Sequence, residues 1–137
     1  MILVDTSVWI PYLRGDEDEG AAALQALLDR DAPICITSFI ALELLQGVPD
    51  GQAARRLETY LSTQRRIESS DPWGTAVAAA RLYGACRSAG YTVRSTVDCW
   101  IAQLAIEHGA VLLHQDRDFE HISRVAPELE TMAHGRH

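Results

Sequence analysis

Lysine is absent from this sequence: all 12 basic residues are arginine. The absence excludes mechanisms that need an amine, including Schiff-base catalysis, P-loop phosphate binding and the lysine-dependent site of receiver domains. Cysteine is scarce, and Cys35, Cys86 and Cys99 share no CxxC spacing and lie within apolar stretches. We therefore expect buried thiols in a reducing compartment, and neither disulfides nor a zinc site.

The sequence also has no long apolar run and no excess of positive charge. No stretch approaches the ~20 apolar residues of a membrane span, and Asp5 follows the first apolar run too closely for a signal peptide. Acidic residues outnumber basic ones by 19 to 12, which gives a formal net charge of -7. We expect a cytoplasmic protein without a membrane segment, and one that does not coat nucleic acid through bulk positive charge.

The residues that are present suit one folded unit. The chain has 137 residues, of which 47% are hydrophobic, enough for a core of ordinary size. Short apolar runs predict strands at 1–4, 33–36 and 110–114, with a weaker strand at 66–68. Helical spacing predicts helices at 21–28, 39–46, 50–61, 72–90 and 97–108. We expect a single domain spanning 1–137, an α/β three-layer sandwich in which α-helices flank a central, mostly parallel β-sheet.

Polar residues and glycines mark several helix boundaries. The acidic run 16–19 precedes the first predicted helix and suits the positive end of its dipole. Asp50 and Asp71 are expected to open helices, and a proline directly after Asp71 strengthens that second start. Gly47 and Gly109 are expected to end the helices that precede them.

Four acidic residues adjoin or interrupt apolar elements and need individual explanations. Asp5 follows the first strand, and Asp116, with Asp118 close behind, follows the last predicted strand. Because the carboxyl ends of parallel strands meet at one crevice, Asp5 and Asp116 can approach each other. Glu43 and Asp98 lie on helical faces that are otherwise apolar, so both side chains are expected to point inward.

Each of these acids also has an ordinary structural explanation. Asp5 suits a turn and Asp116 an Asx turn. Asp98 suits a capping box with Ser95, and Glu43 suits an ion pair with an arginine. An unpaired buried carboxylate is unfavourable, however, so four of them together favour a shared cation. A donor set of carboxylates without histidine or cysteine is typical of Mg²⁺ or Mn²⁺ sites.

Hydrolysis of a phosphodiester is the chemistry that such a site predicts. A divalent metal held by carboxylates can activate a water molecule and neutralise charge on the leaving oxygen. Other hydrolytic signatures are missing: there is no GxSxG motif, and Ser7 stands where an aspartyl-phosphate enzyme would have a second aspartate. His114 ends the last predicted strand, and we expect it in the core or at the rim of the site.

Four segments of the chain carry a family resemblance. They are DTSVWI at 5–10, TSFIALELLQG at 37–47, VDCWIAQLAIEHGAVLL at 97–113 and QDRDFEHI at 115–122. Together they resemble the PIN-domain ribonucleases, and in particular the VapC-type toxins of type II toxin–antitoxin pairs. The resemblance implies a PIN-like sandwich and endonucleolytic cleavage of RNA (tRNA, rRNA or mRNA) by a metal-activated water, which leaves a 3′-hydroxyl and a 5′-phosphate.

The same resemblance implies the composition of the site. The ligands of Mg²⁺, or alternatively of Mn²⁺, would be Asp5, Glu43, Asp98 and Asp116, with Asp118 as an auxiliary ligand. A hydroxyl just after the first aspartate would assist them. Both Thr6 and Ser7 fit this role, and Ser7 is favoured.

The resemblance further implies partners, namely a second copy of the chain and a VapB-type antitoxin whose C-terminal segment crosses the site in a hetero-oligomer. Exposed arginines would form either a positive rim that guides RNA or a solvated face; the candidates are Arg55, Arg56, Arg65, Arg66, Arg81, Arg87 and Arg94. Arg117 is expected to pair with an acid or to orient its loop. Trp9, Tyr12 and Trp73 suit partner contacts or the core equally well.

Two other functions stay open. A PIN-like scaffold could sequester an antitoxin or RNA without cutting it, although the complete set of acids argues against this. A structure-specific DNA nuclease would use the same metal chemistry, since nothing in the sequence reads a 2′-hydroxyl.

Overall fold

A five-stranded sheet forms the centre of the computed structural model, which describes residues 1–133. Its strands are β1 (Ile2–Val4), β2 (Ile34–Ile36), β3 (Arg65–Arg66), β4 (Val111–His114) and β5 (Thr131–Ala133). They lie in the order β3, β2, β1, β4, β5, and each neighbouring pair is parallel. The prediction of a parallel sheet is confirmed.

Helices connect the strands. In the described residues they are α1 (Thr6–Arg14), α2 (Glu19–Asp29), α3 (Ser38–Gln46), α4 (Gln52–Ser62), α5 (Pro72–Ser88), α6 (Thr96–His108) and α7 (Arg117–Val125). Asp18, from the predicted acidic run, caps α2, and Asp71 caps α5. The prediction that Asp50 opens a helix is wrong, because the chain turns at Gly51, with φ 126°, before α4 begins. Within residues 1–133, none of the helices has both the length and the apolar character needed to cross a membrane.

The side of the sheet on which the chain adds strands changes between β1 and β4. From β1 the chain proceeds outward to β2 and β3, whereas from β4 it proceeds to β5 on the other side. Because crossovers between parallel strands are right-handed, helices α1 to α4 and helices α5 to α7 cover opposite faces of the sheet. The expected three-layer sandwich is therefore confirmed. The carboxyl ends of β1 and β4 border the crevice of a topological switch point, where ligands bind in such sheets.

The two central strands form the middle of the core. Leu3 of β1 and Leu112 and Leu113 of β4 have no exposed surface. Helices cover both faces of these strands, which explains why their sequences are continuously apolar and do not alternate. Trp9 of α1 is fully buried as well, whereas Trp73 at the start of α5 is 80% exposed. Of the aromatic candidates for partner contacts, Trp9 therefore belongs to the core.

The cysteines are packing residues, as the sequence predicts. All three are buried and carry free thiols. Burial raises the pKa of Cys35 to about 11 and that of Cys99 to about 12. These thiols therefore remain protonated at neutral pH, which makes them poor nucleophiles and poor metal ligands.

Helices α1 and α7 and strand β5 are not predicted by the sequence pattern. Pro11 lies inside α1, where it lacks the amide that would bond to a preceding carbonyl, and such a proline normally indicates a helix end. Helix α7 places its buried Phe119 and Ile122 among charged residues, so its apolar stripe is narrow. Strand β5 has three residues, too few for a distinct periodicity.

We expect Leu112→Ala to lower the free energy of unfolding by roughly 2–5 kcal/mol, because the substitution leaves a cavity between the two helical layers. Leu42→Ala on α3 is the matched control: this side chain is 54% exposed, so the same deletion should change the free energy by about 0.5 kcal/mol or less. Urea denaturation followed by circular dichroism measures both values. Equal losses in the two variants would contradict the described core.

Candidate active site

Asp5 lies where β1 ends and α1 begins, at the edge of the crevice. Its amide donates to the carbonyl oxygen of Leu113 at 2.9 Å, which joins the end of β1 to β4. Its Oδ2 accepts hydrogen bonds from the amide of Ser7 at 3.0 Å and from the Ser7 hydroxyl at 2.7 Å. Asp5 therefore caps α1, and its carboxylate is held in one orientation with only 5% of the residue exposed.

The two hydroxyls that follow Asp5 hold different acids. Ser7 Oγ donates to Asp5 and accepts from the amide of Gln115 at 3.0 Å, so it links the ends of β1 and β4. Thr6 Oγ1 donates to Oε1 of Glu43 at 3.0 Å and thereby ties α3 to the start of α1. The sequence leaves Thr6 and Ser7 as alternatives; in the folded chain each contacts one of the predicted acids.

Asp116 and Asp118 follow the end of β4, the other central strand. Asp116 caps α7 by accepting from the amide of Asp118 at 2.9 Å. The amide of Asp116 donates to Nδ1 of His114 at 3.1 Å, and His114 has no exposed surface. His114 thus supports the loop from the core. Asp118 is 3% exposed, so its carboxylate is more enclosed than that of Asp116.

Asp98 approaches these acids from a separate segment of the chain, helix α6. It lies in the first turn of α6, which Ser95 caps. One carboxylate oxygen from each of Asp98, Asp116 and Asp118 lies within 4.8 Å of the others. The charges of Asp5 and Glu43 also act on Asp98. Asp98, Asp116 and Asp118 form the close group, and Asp5 and Glu43 lie near enough to interact with it electrostatically; we call these five residues the acidic cluster.

Burial and crowding make two of these carboxyls harder to ionise. Burial raises the pKa of Asp5 to about 6, although the hydrogen bonds from Ser7 oppose the shift. Burial, followed by the charges of the other four acids, raises the pKa of Asp98 to about 8. A cation among these carboxylates would relieve the repulsion and favour their ionised forms.

Arg94, in the segment between α5 and α6, carries positive charge to the acidic cluster. Its Nη2 lies 3.4 Å from Oδ1 of Asp116, and its Nε lies 3.4 Å from Oδ2 of Asp118. These ion pairs correct one of the two expectations for Arg117: in residues 1–133 the arginine that pairs with these acids is Arg94, whereas Arg117 begins α7 as an exposed residue. All seven arginines proposed for a positive rim are exposed, and Arg94 is the one in contact with the acids.

Gln115 is a positioning residue that sequence reasoning missed. Its Nε2 donates to the carbonyl oxygen of Ser7 at 3.1 Å and to Oδ2 of Asp18 at 2.8 Å, while its Oε1 accepts from the amide of Gly20 at 3.2 Å. A Cβ on residue 20 would lie 2.4 Å from the Gln115 side chain, so a larger residue there would displace the Gln115 amide from these contacts. The available signal was the position of Gln115 between a strand end and Asp116.

Comparison with known proteins identifies the family. A family profile described as PIN domain matches residues 2–125. The chain belongs to the PIN-domain family. This PIN domain is 40% identical over 126 residues to a VapC ribonuclease of Mycobacterium bovis, an alignment that covers 91% of this chain and 93% of that protein. The resemblance stated from the four sequence segments is therefore confirmed.

Solved structures share the fold of this PIN domain. VapBC2 from Rickettsia felis, crystallised with a DNA fragment from its promoter, has a TM-score of 0.71 at 21% identity, over 98% of this chain and 100% of that chain. A toxin-antitoxin complex from Klebsiella pneumoniae has a TM-score of 0.70 at 21% identity, over 94% of this chain and 95% of that chain. At these identities the likeness concerns the fold alone.

The raised pKa values predict how the stability of the metal-free protein depends on pH. The pKa of Asp98 is about 8 in the folded protein against an ordinary value of 3.8, so the folded state holds this proton more tightly than the unfolded state does. The resulting stabilisation is complete below the ordinary pKa and is lost as the pH rises toward 8. Asp5 contributes with the same sign up to about pH 6.

We therefore expect the free energy of unfolding in EDTA to fall between about pH 5 and pH 8. Asp98→Asn should flatten this slope, because the amide does not titrate. Asp50→Asn, at an exposed position outside the acidic cluster, should leave the slope as in the wild type. Urea denaturation across this pH range is the measurement, and stability that rises toward pH 8 would refute the interpretation.

Proposed function

We propose that this PIN domain is a metal-dependent endoribonuclease and the toxin of a toxin–antitoxin pair. The observation that carries the proposal is the convergence of carboxylates from separate segments at the switch point between β1 and β4. The name of the Mycobacterium bovis relative, a VapC ribonuclease that aligns over most of both chains, supports RNA as the substrate. The predicted chemistry, hydrolysis of a phosphodiester, agrees with that name.

The proposed metal ligands are Asp5, Glu43, Asp98 and Asp116, with Asp118 as an auxiliary ligand. Every donor is a carboxylate oxygen, and this donor set suits Mg²⁺, or Mn²⁺, better than zinc. The raised pKa of Asp98 supports the assignment: burial is its largest cause, but the charges of the neighbouring acids add to it, and a cation would relieve that repulsion. A bound ion would supply an activated water and neutralise charge on the leaving oxygen.

The chain's own groups orient the carboxylates for that role. The Ser7 hydroxyl holds Asp5, the Thr6 hydroxyl holds Glu43, and the amide of Asp118 holds Asp116. Each of these three acids therefore has one oxygen with a defined direction before any ligand arrives. Such preorganisation reduces the rearrangement that metal and substrate binding would otherwise require.

We further propose that the partners are a second copy of this chain and an antitoxin of the VapB type. The solved structures with the same fold include a toxin-antitoxin complex from Klebsiella pneumoniae and VapBC2 from Rickettsia felis, which supports a hetero-oligomer. Several large apolar side chains are exposed and suit protein contacts, among them Trp73 and Phe39.

We expect Asp98→Asn to reduce the rate of RNA cleavage by roughly 100-fold or more, because it removes a metal-binding charge while keeping the size of the side chain. Asp29→Asn is the matched control. Asp29 ends α2 shortly before β2 begins, near the amino ends of the strands, whereas the acidic cluster lies near their carboxyl ends. The assay incubates each purified protein with total cellular RNA in Mn²⁺ or EDTA and resolves the fragments on denaturing gels.

The same assay separates the alternative functions. Cleavage that Asp98→Asn or EDTA leaves intact would contradict the metal site. Parallel samples with DNA test the structure-specific DNA nuclease, which would cut DNA as readily as RNA. A wild-type protein that binds RNA in Mn²⁺ without cutting it would identify a binding module instead.

We also expect millimolar Mg²⁺ or Mn²⁺ to raise the Tm of the wild type, because a ligand at 100 times its Kd adds about 2.7 kcal/mol to the free energy of unfolding. In Asp98→Asn the increase should be much smaller, while the metal-free Tm near pH 8 should exceed that of the wild type. Differential scanning fluorimetry measures both effects. A wild-type Tm that millimolar metal leaves unchanged would show that the five acids do not form one metal site.

A further inference from the structure

The Arg94 side chain pairs with two of the acids that the proposed metal would use. Its two ion pairs end on Asp116 Oδ1 and Asp118 Oδ2, and these acids, together with Asp98, form the group whose oxygens lie within 4.8 Å of one another. A guanidinium and a divalent ion bound to the same carboxylates repel each other. The two cations would therefore compete for Asp116 and Asp118.

The contacts of the guanidinium are of a kind that exchanges easily. Both distances are 3.4 Å, longer than the ~2.7–2.9 Å of strong charge-assisted hydrogen bonds. The side chain of Arg94 is 72% exposed, so water and salt screen the interaction. The amide of Arg94, in contrast, donates to the enclosed Asp118 at 3.1 Å. The guanidinium can leave while the backbone stays in place.

A polar pocket lies beside the acidic cluster. It suits an anion, which would bind the Arg94 guanidinium after the guanidinium leaves the acids. Its lining residues are Thr92, Arg94, Arg117, Asp118 and His121. Two of them are arginines and a third is a histidine, whereas the one acid already accepts the Arg94 amide. A strand of RNA that crosses the acidic cluster would bring a neighbouring phosphate to this pocket. Arginine binds phosphate with paired N–H donors.

We propose that Arg94 is an exchangeable counter-ion of the site: its guanidinium balances Asp116 and Asp118 until the metal binds, and then leaves them for a phosphate of the RNA. The RNA step rests on the proposed function, whereas the exchange with metal concerns the protein alone. A permanent ion pair would have the opposite effect, because it would hold Asp116 and Asp118 in place for the metal. Loss of Arg94 would then weaken metal binding.

Calorimetric titration with Mn²⁺, without RNA, distinguishes these two roles. We expect Arg94→Gln to bind Mn²⁺ more tightly than the wild type by about threefold or more, since a competing charge is removed. Arg94→Lys should fall between the two. Arg30→Gln is the charge-matched control, because Arg30 is exposed and precedes β2 at the opposite edge of the sheet. Unchanged or weaker Mn²⁺ binding by Arg94→Gln would overturn the exchange.

Steady-state cleavage of a transfer RNA pool at saturating Mn²⁺ tests the phosphate contact. Arg94→Gln should raise KM by roughly tenfold with a smaller change in kcat. Because one phosphate contact is lost, the slope of log KM against log salt concentration should also decrease by about 1. Arg94→Lys should restore part of the KM, and Arg30→Gln should match the wild type. An unchanged KM and salt dependence in Arg94→Gln would refute this step. If the wild type cleaves no RNA with any metal, the proposed function fails, while the calorimetric result still decides the exchange.

Discussion

The fold must hold mutually repelling carboxylates close together, and the rest of the structure depends on this constraint. The pKa of Asp98, raised to about 8 by burial and by neighbouring charge, shows how strongly the folded chain opposes ionisation at the cluster. Such a site persists only if other interactions supply the free energy that holds it together. Here the source is the apolar core, in which Leu3, Leu112 and Leu113 of the central strands have no exposed surface. Asp5 directly follows β1, and Asp116 lies two residues after β4.

Helix termini offset part of that repulsion. Asp5 and Asp116 precede α1 and α7 as their capping residues, and Asp98 lies in the first turn of α6. Three helices therefore begin at the acidic cluster, and the positive ends of their dipoles are close to the carboxylates. The ordinary explanation of Asp5 and Asp116 as turn and capping residues thus agrees with their place in a shared site, because one oxygen can cap a helix while the other remains available. Arg94 adds positive charge from the exposed side of the acidic cluster.

Acids at informative places in the sequence could be predicted, whereas two of the residues that contact or support them, Gln115 and Arg94, could not be singled out. Asp5 and Asp116 end apolar runs, and Glu43 and Asp98 interrupt apolar helical faces, so each contradicts its local pattern. Gln115 contradicts nothing: a glutamine after a strand is ordinary, and its partner Asp18 lies 97 residues away. Arg94 was one of seven candidate rim arginines. Its role depends on how the segment before α6 approaches α7, which no local periodicity encodes.

The sequence by itself determined the alternation of strands and helices, the parallel class of the sheet and the identity of the candidate acids, because these follow from local periodicity and from residue chemistry. Only the tertiary structure decided which side chains contact the acids. It joined Thr6 to Glu43 and Ser7 to Asp5, and it placed Arg94 and not Arg117 on the acids. Thr6 and Glu43 are 37 residues apart, and Arg94 and Asp116 are 22 residues apart. Such contacts depend on how separate segments pack together, which local sequence patterns do not encode.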